Sequence, residues 1–149
     1  MAYKNASSTY RETRITTASQ GQLIIMLYDG AVKQLNMALE LLELNNTEKK
    51  DPGRIEIISK AVMKAEEIIT ELMVSLDFEQ GHEIAKNLFA LYTWFNRELM
   101  EANIAQDKNR IAVVRDMLSD LRNTWSEIAG KYNAETTKRE AAVGLNIAG

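Results

Sequence analysis

Four stretches of this sequence repeat apolar residues at every third or fourth position, which is the spacing of one buried helix face. The first stretch follows Ser19, whose hydroxyl can form a capping box with Gln22, and it ends in the polar residues 45–47. The pattern therefore predicts a first helix that begins near residue 19. Its predicted core positions are Ile24, Leu27, Tyr28, Ala31, Leu35, Ala38, Leu39 and Leu42.

A second helix is predicted to begin at Pro52, because Asp51 supplies a capping carboxylate and proline is tolerated at the first helical position. A break is expected at residues 77–81, and a third helix follows it. The predicted core positions of the second helix are Ile58, Ala61, Val62, Ala65, Ile68, Ile69, Leu72 and Leu76. Those of the third are Ile84, Leu88, Leu91, Tyr92, Phe95, Leu99 and Ala102.

A fourth helix is predicted after Asp107, a plausible N-cap. Its core positions are Ile111, Val114, Leu118, Leu121, Trp125, Ile128 and Tyr132. Helices of about 25 residues joined by short linkers pack as antiparallel neighbours. The prediction is an all-α protein, an up-down four-helix bundle over residues 19–132. We expect residues 1–18 to form an N-terminal cap segment and residues 133–149 a flexible C-terminal tail, each mobile or lightly docked.

The chain has no cysteine and one histidine, His82, among its 149 residues. This composition excludes disulfides, thiol catalysis and metal sites built from several imidazoles. Glu79 and His82 match the Glu-x-x-His pair of carboxylate-bridged di-iron bundles, but such a site needs a second histidine. We therefore predict a protein that is not an enzyme, with no catalytic residues, no metal and no cofactor.

The formal net charge is −3, and residues 51–106 hold 10 acidic against 5 basic residues. No segment is basic enough to neutralise a run of phosphates, so nucleic acid is not an expected partner. This acidic middle is either a solvated face or a binding patch, and the pattern favours the solvated face. The pairs Glu66/Glu67 and Glu98/Glu101 are interpreted in the same way, as solvated surface rather than acid–base pairs.

The longest apolar run, Leu23 to Tyr28, has six residues, whereas a membrane span needs about 20. The polar first residues also lack the apolar core of a secretion signal. The sequence therefore predicts a soluble, cytoplasmic protein without membrane insertion.

The helices carry more apolar residues than one bundle core needs. Those outside the predicted stripes are Leu23, Ile25, Met26, Val32, Met37 and Leu41 on the first helix, Ile57 and Met73 on the second, and Phe89, Trp94 and Met100 on the third. They could complete the core or form a dimer interface. They could also line exposed grooves that accept an amphipathic helix from a partner.

Two motifs carry a family resemblance. Residues 10–19 read Tyr-Arg-Glu-Thr-Arg-Ile-Thr-Thr-Ala-Ser, and residues 26–31 read Met-Leu-Tyr-Asp-Gly-Ala. Over these and later matching segments, the chain resembles the FliS family of flagellin-specific export chaperones of bacteria. Two positions depart from the family pattern: Gln20 replaces a proline, and His82 replaces the second glycine of a Gly-Gly pair.

The resemblance implies a cytoplasmic bundle that binds the disordered C-terminal segment of flagellin, prevents premature polymerisation and delivers flagellin to a membrane protein of the flagellar type III export gate. It also implies that the N-terminal segment can cover part of the binding surface. We expect a monomer or weak homodimer, and the alternative is a homodimeric helical adaptor without a flagellin client. The expected partner-binding residues are Tyr10, Ile15, Leu23, Met26, Leu27, Tyr28, Phe89, Trp94 and Met100. Asp29-Gly30 is interpreted as a packing device that permits close helix approach.

Overall fold

The computed structural model describes residues 20–148, with side chains for residues 20–131, and this part of the chain contains four helices and no strand. Helix α1 spans Gln20–Thr47 and α2 spans Pro52–Val74. Helix α3 spans Phe78–Ala105 and α4 spans Lys108–Ala148. The predicted all-α fold is confirmed. None of these helices is both long enough and apolar enough to cross a membrane.

An aspartate caps each of α2, α3 and α4. The carboxylates of Asp51, Asp77 and Asp107 accept hydrogen bonds of 2.9 to 3.3 Å from backbone N–H groups in the first turn that follows. These bonds satisfy amide groups that have no partner within the helix. The caps at Asp51 and Asp107 are as predicted, whereas Ser19 and its predicted capping box lie outside the described residues.

The described chain forms two compact units, of which Met26–Arg122 contains segments of all four helices. Within it, α1 and α4 are joined by a regular ladder of side-chain pairs. Arg122 Nε donates to Asp29 Oδ1 at 2.8 Å, and Arg115 Nη1 donates to Asn36 Oδ1 at 2.7 Å. Each step advances seven residues on α1 and returns seven on α4, and a Lys108–Glu43 ion pair continues the series. Helices α1 and α4 are therefore antiparallel.

Helices α2 and α3 are also antiparallel, because Ser59 bonds to Asn103 while the later Thr70 bonds to the earlier Asn96. Helix α1 lies close to α2 at Gly30, where an added Cβ would be 3.3 Å from Ile68 Cδ1. This close approach is what the packing interpretation of Gly30 requires. The alternation of directions confirms the antiparallel four-helix bundle.

The bundle core follows the predicted stripes over most of their length. Its buried apolar residues are Tyr28, Ala31, Leu35, Ala38, Leu39, Leu42, Ile58, Ala61, Val62, Ala65, Ile69, Leu72, Ala85, Tyr92, Phe95, Leu99, Ala102, Ile111, Val114 and Leu118. Two predicted core residues are wrong. Ile84 is 69% exposed and its neighbour Ala85 is buried instead, while Ile128 on α4 is 52% exposed.

The position of the buried face explains the error at Ile84. Ala85 lies seven residues before the buried Tyr92 and shares its face of α3, whereas Ile84 is aligned with Leu88 and Leu91, which are only half-buried. His82 has a different effect, because its backbone has φ 44° and ψ −120° and interrupts α3 one turn after its start. This left-handed φ favours glycine, and the resemblance places a glycine at this position.

The second unit includes residues 20–25 of α1 and 123–148 of α4. In it the two helices approach closely at Gly21, where an added Cβ would lie 3.2 Å from Ala129 Cβ. Helix α4 continues to Ala148, beyond the predicted end of its apolar stripe at Tyr132. The flexibility expected for residues 133–149 stays a prediction.

Candidate partner-binding groove

Helices α2 and α3 pack against each other, and one residue stripe from each helix borders the outer edge of their contact. Helical spacing places four residues on the α2 side, Ser59, Met63, Glu66 and Thr70. It places four on the α3 side, Phe89, Asn96, Met100 and Asn103. We call this the α2–α3 groove.

Two hydrogen bonds fix the floor of the α2–α3 groove. Ser59 Oγ donates to Asn103 Oδ1 at 3.1 Å, and Asn96 Nδ2 donates to Thr70 Oγ1, also at 3.1 Å. Each bond crosses from one helix to the other, so together they set the register of α2 against α3. In this register Met63 and Met100 lie at nearly the same level, one on each lip of the groove.

The lips of the groove are apolar and accessible. Met63 is 55% exposed, Met100 is 52% exposed and Phe89 is 43% exposed. The Phe89 ring packs edge-on against Phe78, with 5.9 Å between the ring centroids. Methionine is flexible and polarizable and adapts to differently shaped partners. A surface of this kind is typical of grooves that accept an amphipathic helix.

Glu66 is the one charged residue in these two stripes, while Lys60, Lys64 and Glu67 line a hollow with Met63 on the outer side of α2. Glu66 lies seven residues after Ser59 and four before Thr70, so all three share one face of α2. Burial raises the pKa of its carboxyl above the ordinary value for glutamate. Within the part of the chain whose side chains are described, Glu66 forms no ion pair. Glu67, the glutamate beside it, is exposed.

The predicted site residues on α1 differ in burial. Leu23, Met26 and Leu27 are half-buried. Tyr28 has no exposed surface, and its hydroxyl is hydrogen-bonded to that of Tyr92. Tyr28 therefore belongs to the core in this structure, and its assignment to the partner-binding surface is corrected. The remaining two predicted residues, Tyr10 and Ile15, lie outside the described residues.

The three predicted site residues on α3 do not share one face. Phe89 and Met100 both line the α2–α3 groove and are separated by eleven residues, close to three helical turns. Trp94 lies on the flank of α3 that faces α4, and its ring packs against that of Phe95 with 5.8 Å between centroids. Trp94 is half-buried.

Sequence reasoning missed Met63 and Glu66 as members of a groove. Met63 lies outside the apolar stripe of α2, and its level relative to Met100 follows only from the register of α2 against α3. The interpretation of Glu66 as solvated surface is wrong, since the residue is half-buried and its pKa is raised. A signal was available in the stripe Ser59, Met63, Glu66 and Thr70, whose spacing marks a second face of α2.

A second hollow lies on α1, open to solvent and with a volume of about 430 Å³. Its described lining residues are Asp29, Val32, Lys33, Asn36, Met37 and Glu40. Val32 and Met37 were among the surplus apolar residues of the sequence, and this hollow accounts for their exposure. The hollow has no aromatic side chain among these residues.

The acidic pair Glu98/Glu101 is bound by one arginine of α4. Arg110 donates to Glu98 Oε1 and to Glu101 Oε2, each at 2.6 Å, and its Nε donates to Glu98 Oε2 at 3.1 Å. The hydrogen bond from Arg110 lowers the pKa of Glu98. These carboxylates therefore join α3 to α4. Among residues 20–131 no group of three or more His, Asp or Glu side chains could hold a metal ion.

Comparison with known proteins gives one consistent result. Residues 3–132 match the family model described as "Flagellar protein FliS". The chain is 35% identical over 128 residues to the flagellar secretion chaperone FliS of Salmonella typhimurium, covering 85% of this chain and 89% of that protein. It is 31% identical over 127 residues to the flagellar secretion chaperone FliS of Bacillus subtilis, covering 85% and 88%.

Proposed function

Since this chain belongs to the FliS family, a family of flagellar secretion chaperones and not of enzymes, we propose that it binds the C-terminal segment of flagellin. Binding in the cytoplasm keeps that segment from polymerising too early. The complex then delivers flagellin to a membrane protein of the flagellar export gate.

The α2–α3 groove is the observation that carries this proposal. Its two methionine lips are about half exposed, and two hydrogen bonds hold the register of the helices that carry them. A segment that is disordered in free flagellin can fold as an amphipathic helix into such a groove. Folding on binding costs several kcal/mol, about 2 to 5, so the interface can be large while the client remains releasable.

The proposed client contacts also include the predicted residues of α1 and of the N-terminal segment. Leu23, Met26 and Leu27 on α1 are half-buried and supply further apolar contacts. Tyr10 and Ile15 belong to the N-terminal segment, which we propose covers part of the client surface until flagellin displaces it.

Sedimentation velocity with full-length flagellin tests the proposal. We expect a stoichiometric complex with intact monomeric flagellin and no complex with flagellin that lacks its last ~40 residues, a length sufficient for two helices and a linker. A complex that forms equally well without the C-terminal segment would contradict the proposed binding site. A tight dimer of the chaperone that persists at sub-micromolar concentration and ignores flagellin would favour the homodimeric adaptor.

A further inference from the structure

We infer that the flagellin segment bound in the α2–α3 groove carries a lysine or arginine that pairs with Glu66. This inference rests on the proposed function and adds a charge requirement to it. The groove would then select a client helix by two features, apolar side chains against the methionine lips and one basic side chain against the carboxylate.

Glu66 has no cation within reach along its own helix. The residues three and four positions away are Val62, Met63, Ile69 and Thr70, and none of them is charged. The α3 stripe that faces it, formed by Phe89, Asn96, Met100 and Asn103, is uncharged as well. Lys60 and Lys64 line a hollow with Met63 on the outer side of α2, but neither forms an ion pair with Glu66. The free protein therefore holds a half-buried carboxylate without an ion pair in the described part of the chain.

Glu98, another half-buried glutamate of the bundle, has a cationic partner. It lies between α3 and α4 and is bound by Arg110. Glutamates 43, 48, 56, 83 and 101 also have a basic partner within salt-bridge distance. Glu66 thus combines burial with the lack of an ion pair in the described part of the chain, and burial without a partner disfavours a charge.

A client that covers the groove increases the free-energy cost of keeping the Glu66 carboxylate charged. An apolar helix laid across Met63 and Met100 would remove the water that still solvates Glu66, and an unpaired carboxylate would remain. A lysine or arginine on the client would offset this cost by forming an ion pair with Glu66, and arginine can bind both carboxylate oxygens at once. Asn96 adds a second acceptor, since its buried Oδ1 has no hydrogen-bond partner in the described structure.

The substitution Glu66→Gln tests the inference, because it keeps the size of the side chain and removes the charge. Glu67→Gln is the matched control, one residue away and exposed. By titration calorimetry with the last ~40 residues of the cognate flagellin, we expect Glu66→Gln to weaken binding by about tenfold. Glu67→Gln should leave binding within about twofold of wild type.

Thermal unfolding of the free protein separates a binding role from a structural one. If Glu66 serves the client, removing its unpaired charge should raise the unfolding midpoint of Glu66→Gln while the affinity falls. A lower midpoint together with weaker binding would show that Glu66 stabilises the bundle itself, and this would overturn the inference.

Charge reversal identifies the partner residue. Glu66→Lys should bind the wild-type peptide more weakly than Glu66→Gln does, and one peptide in which a lysine or arginine is replaced by glutamate should recover part of the loss. If wild-type peptide binds all Glu66 variants equally, the inference fails and the proposed function stands. If the peptide does not bind wild-type protein at all, the proposed function fails.

Discussion

The hydroxyl groups of Tyr28 on α1 and Tyr92 on α3 are hydrogen-bonded to each other inside the bundle. The exposed fraction is 0% for Tyr28 and 2% for Tyr92, and their ring centroids are 6.5 Å apart. Burial, together with the hydrogen bond that it shares with Tyr28, raises the pKa of Tyr92. Tyr92 is therefore neutral at ordinary pH, and the pair joins α1 to α3 across the core.

Replacing either tyrosine by phenylalanine should destabilise the bundle by about 1 to 2 kcal/mol, because the remaining hydroxyl loses its partner in a buried position. The double variant Tyr28→Phe/Tyr92→Phe should cost less than the sum of the single variants. Urea unfolding of the four proteins measures this coupling. Strict additivity would show that the two hydroxyls do not interact.

Replacement of His82 by glycine should stabilise the protein. The residue is exposed and holds φ at 44°, a conformation that glycine adopts without strain. His82→Gly is expected to increase the free energy of unfolding by about 1 kcal/mol. His82→Ala is the control, since it removes the imidazole and keeps the Cβ, and it should give no comparable gain. Equal gains in unfolding free energy in both variants would show that the imidazole ring, and not the positive φ, destabilises the wild type.

Substitution of the adjacent Gly81 should instead destabilise the protein. A Cβ at this position would lie 2.8 Å from Ala85 Cβ, closer than two such atoms can approach. Gly81→Ala is therefore expected to destabilise the bundle by about 1 to 3 kcal/mol, the usual cost of overpacking. Gly130→Ala, on α4, is the control because an added Cβ there meets nothing within 4 Å. A thermal midpoint of Gly81→Ala at or above that of wild type would contradict this packing.

Acid should weaken the contact between α3 and α4. The hydrogen bond from Arg110 lowers the pKa of Glu98 below its ordinary value of 4.5. A lowered folded-state pKa contributes stability above pH 4.5, and this contribution is lost as the pH falls through the folded-state pKa. Glu98→Gln should accordingly flatten the decline in unfolding free energy below pH 4.5, as measured by urea titration at a series of pH values. An unchanged slope would show that Glu98 does not contribute.

Much of the bundle could be predicted from the sequence because apolar spacing and capping residues are local signals. Asp51 and Asp107 cap helices as predicted, and the core residues from Tyr28 to Leu42 follow the predicted stripe. Ile84 was assigned wrongly because it was aligned with Leu88 and Leu91, which are half-buried at the edge of the core face, while Ala85 lies on that face.

The α2–α3 groove was less predictable. Phe89 and Met100 were identified as surplus apolar residues, but Met63 and Glu66 join them only through the register of α2 against α3. Tyr28 was misassigned to the binding surface for a related reason. A family motif identifies a residue that this chain shares with its family, but only the packing shows whether that residue is buried or exposed.

Titration calorimetry with the C-terminal ~40 residues of the cognate flagellin tests the proposed groove most directly. Wild-type protein should bind the peptide, and circular dichroism should show that the peptide gains helix. The double variant Met63→Glu/Met100→Glu should lose about 100-fold in affinity, because it places two charges on the lips of the groove. Val113→Glu on α4, a residue 51% exposed, is the matched control and should bind as wild type does. Absence of heat with wild-type protein, or unchanged affinity of the double variant, would contradict the account.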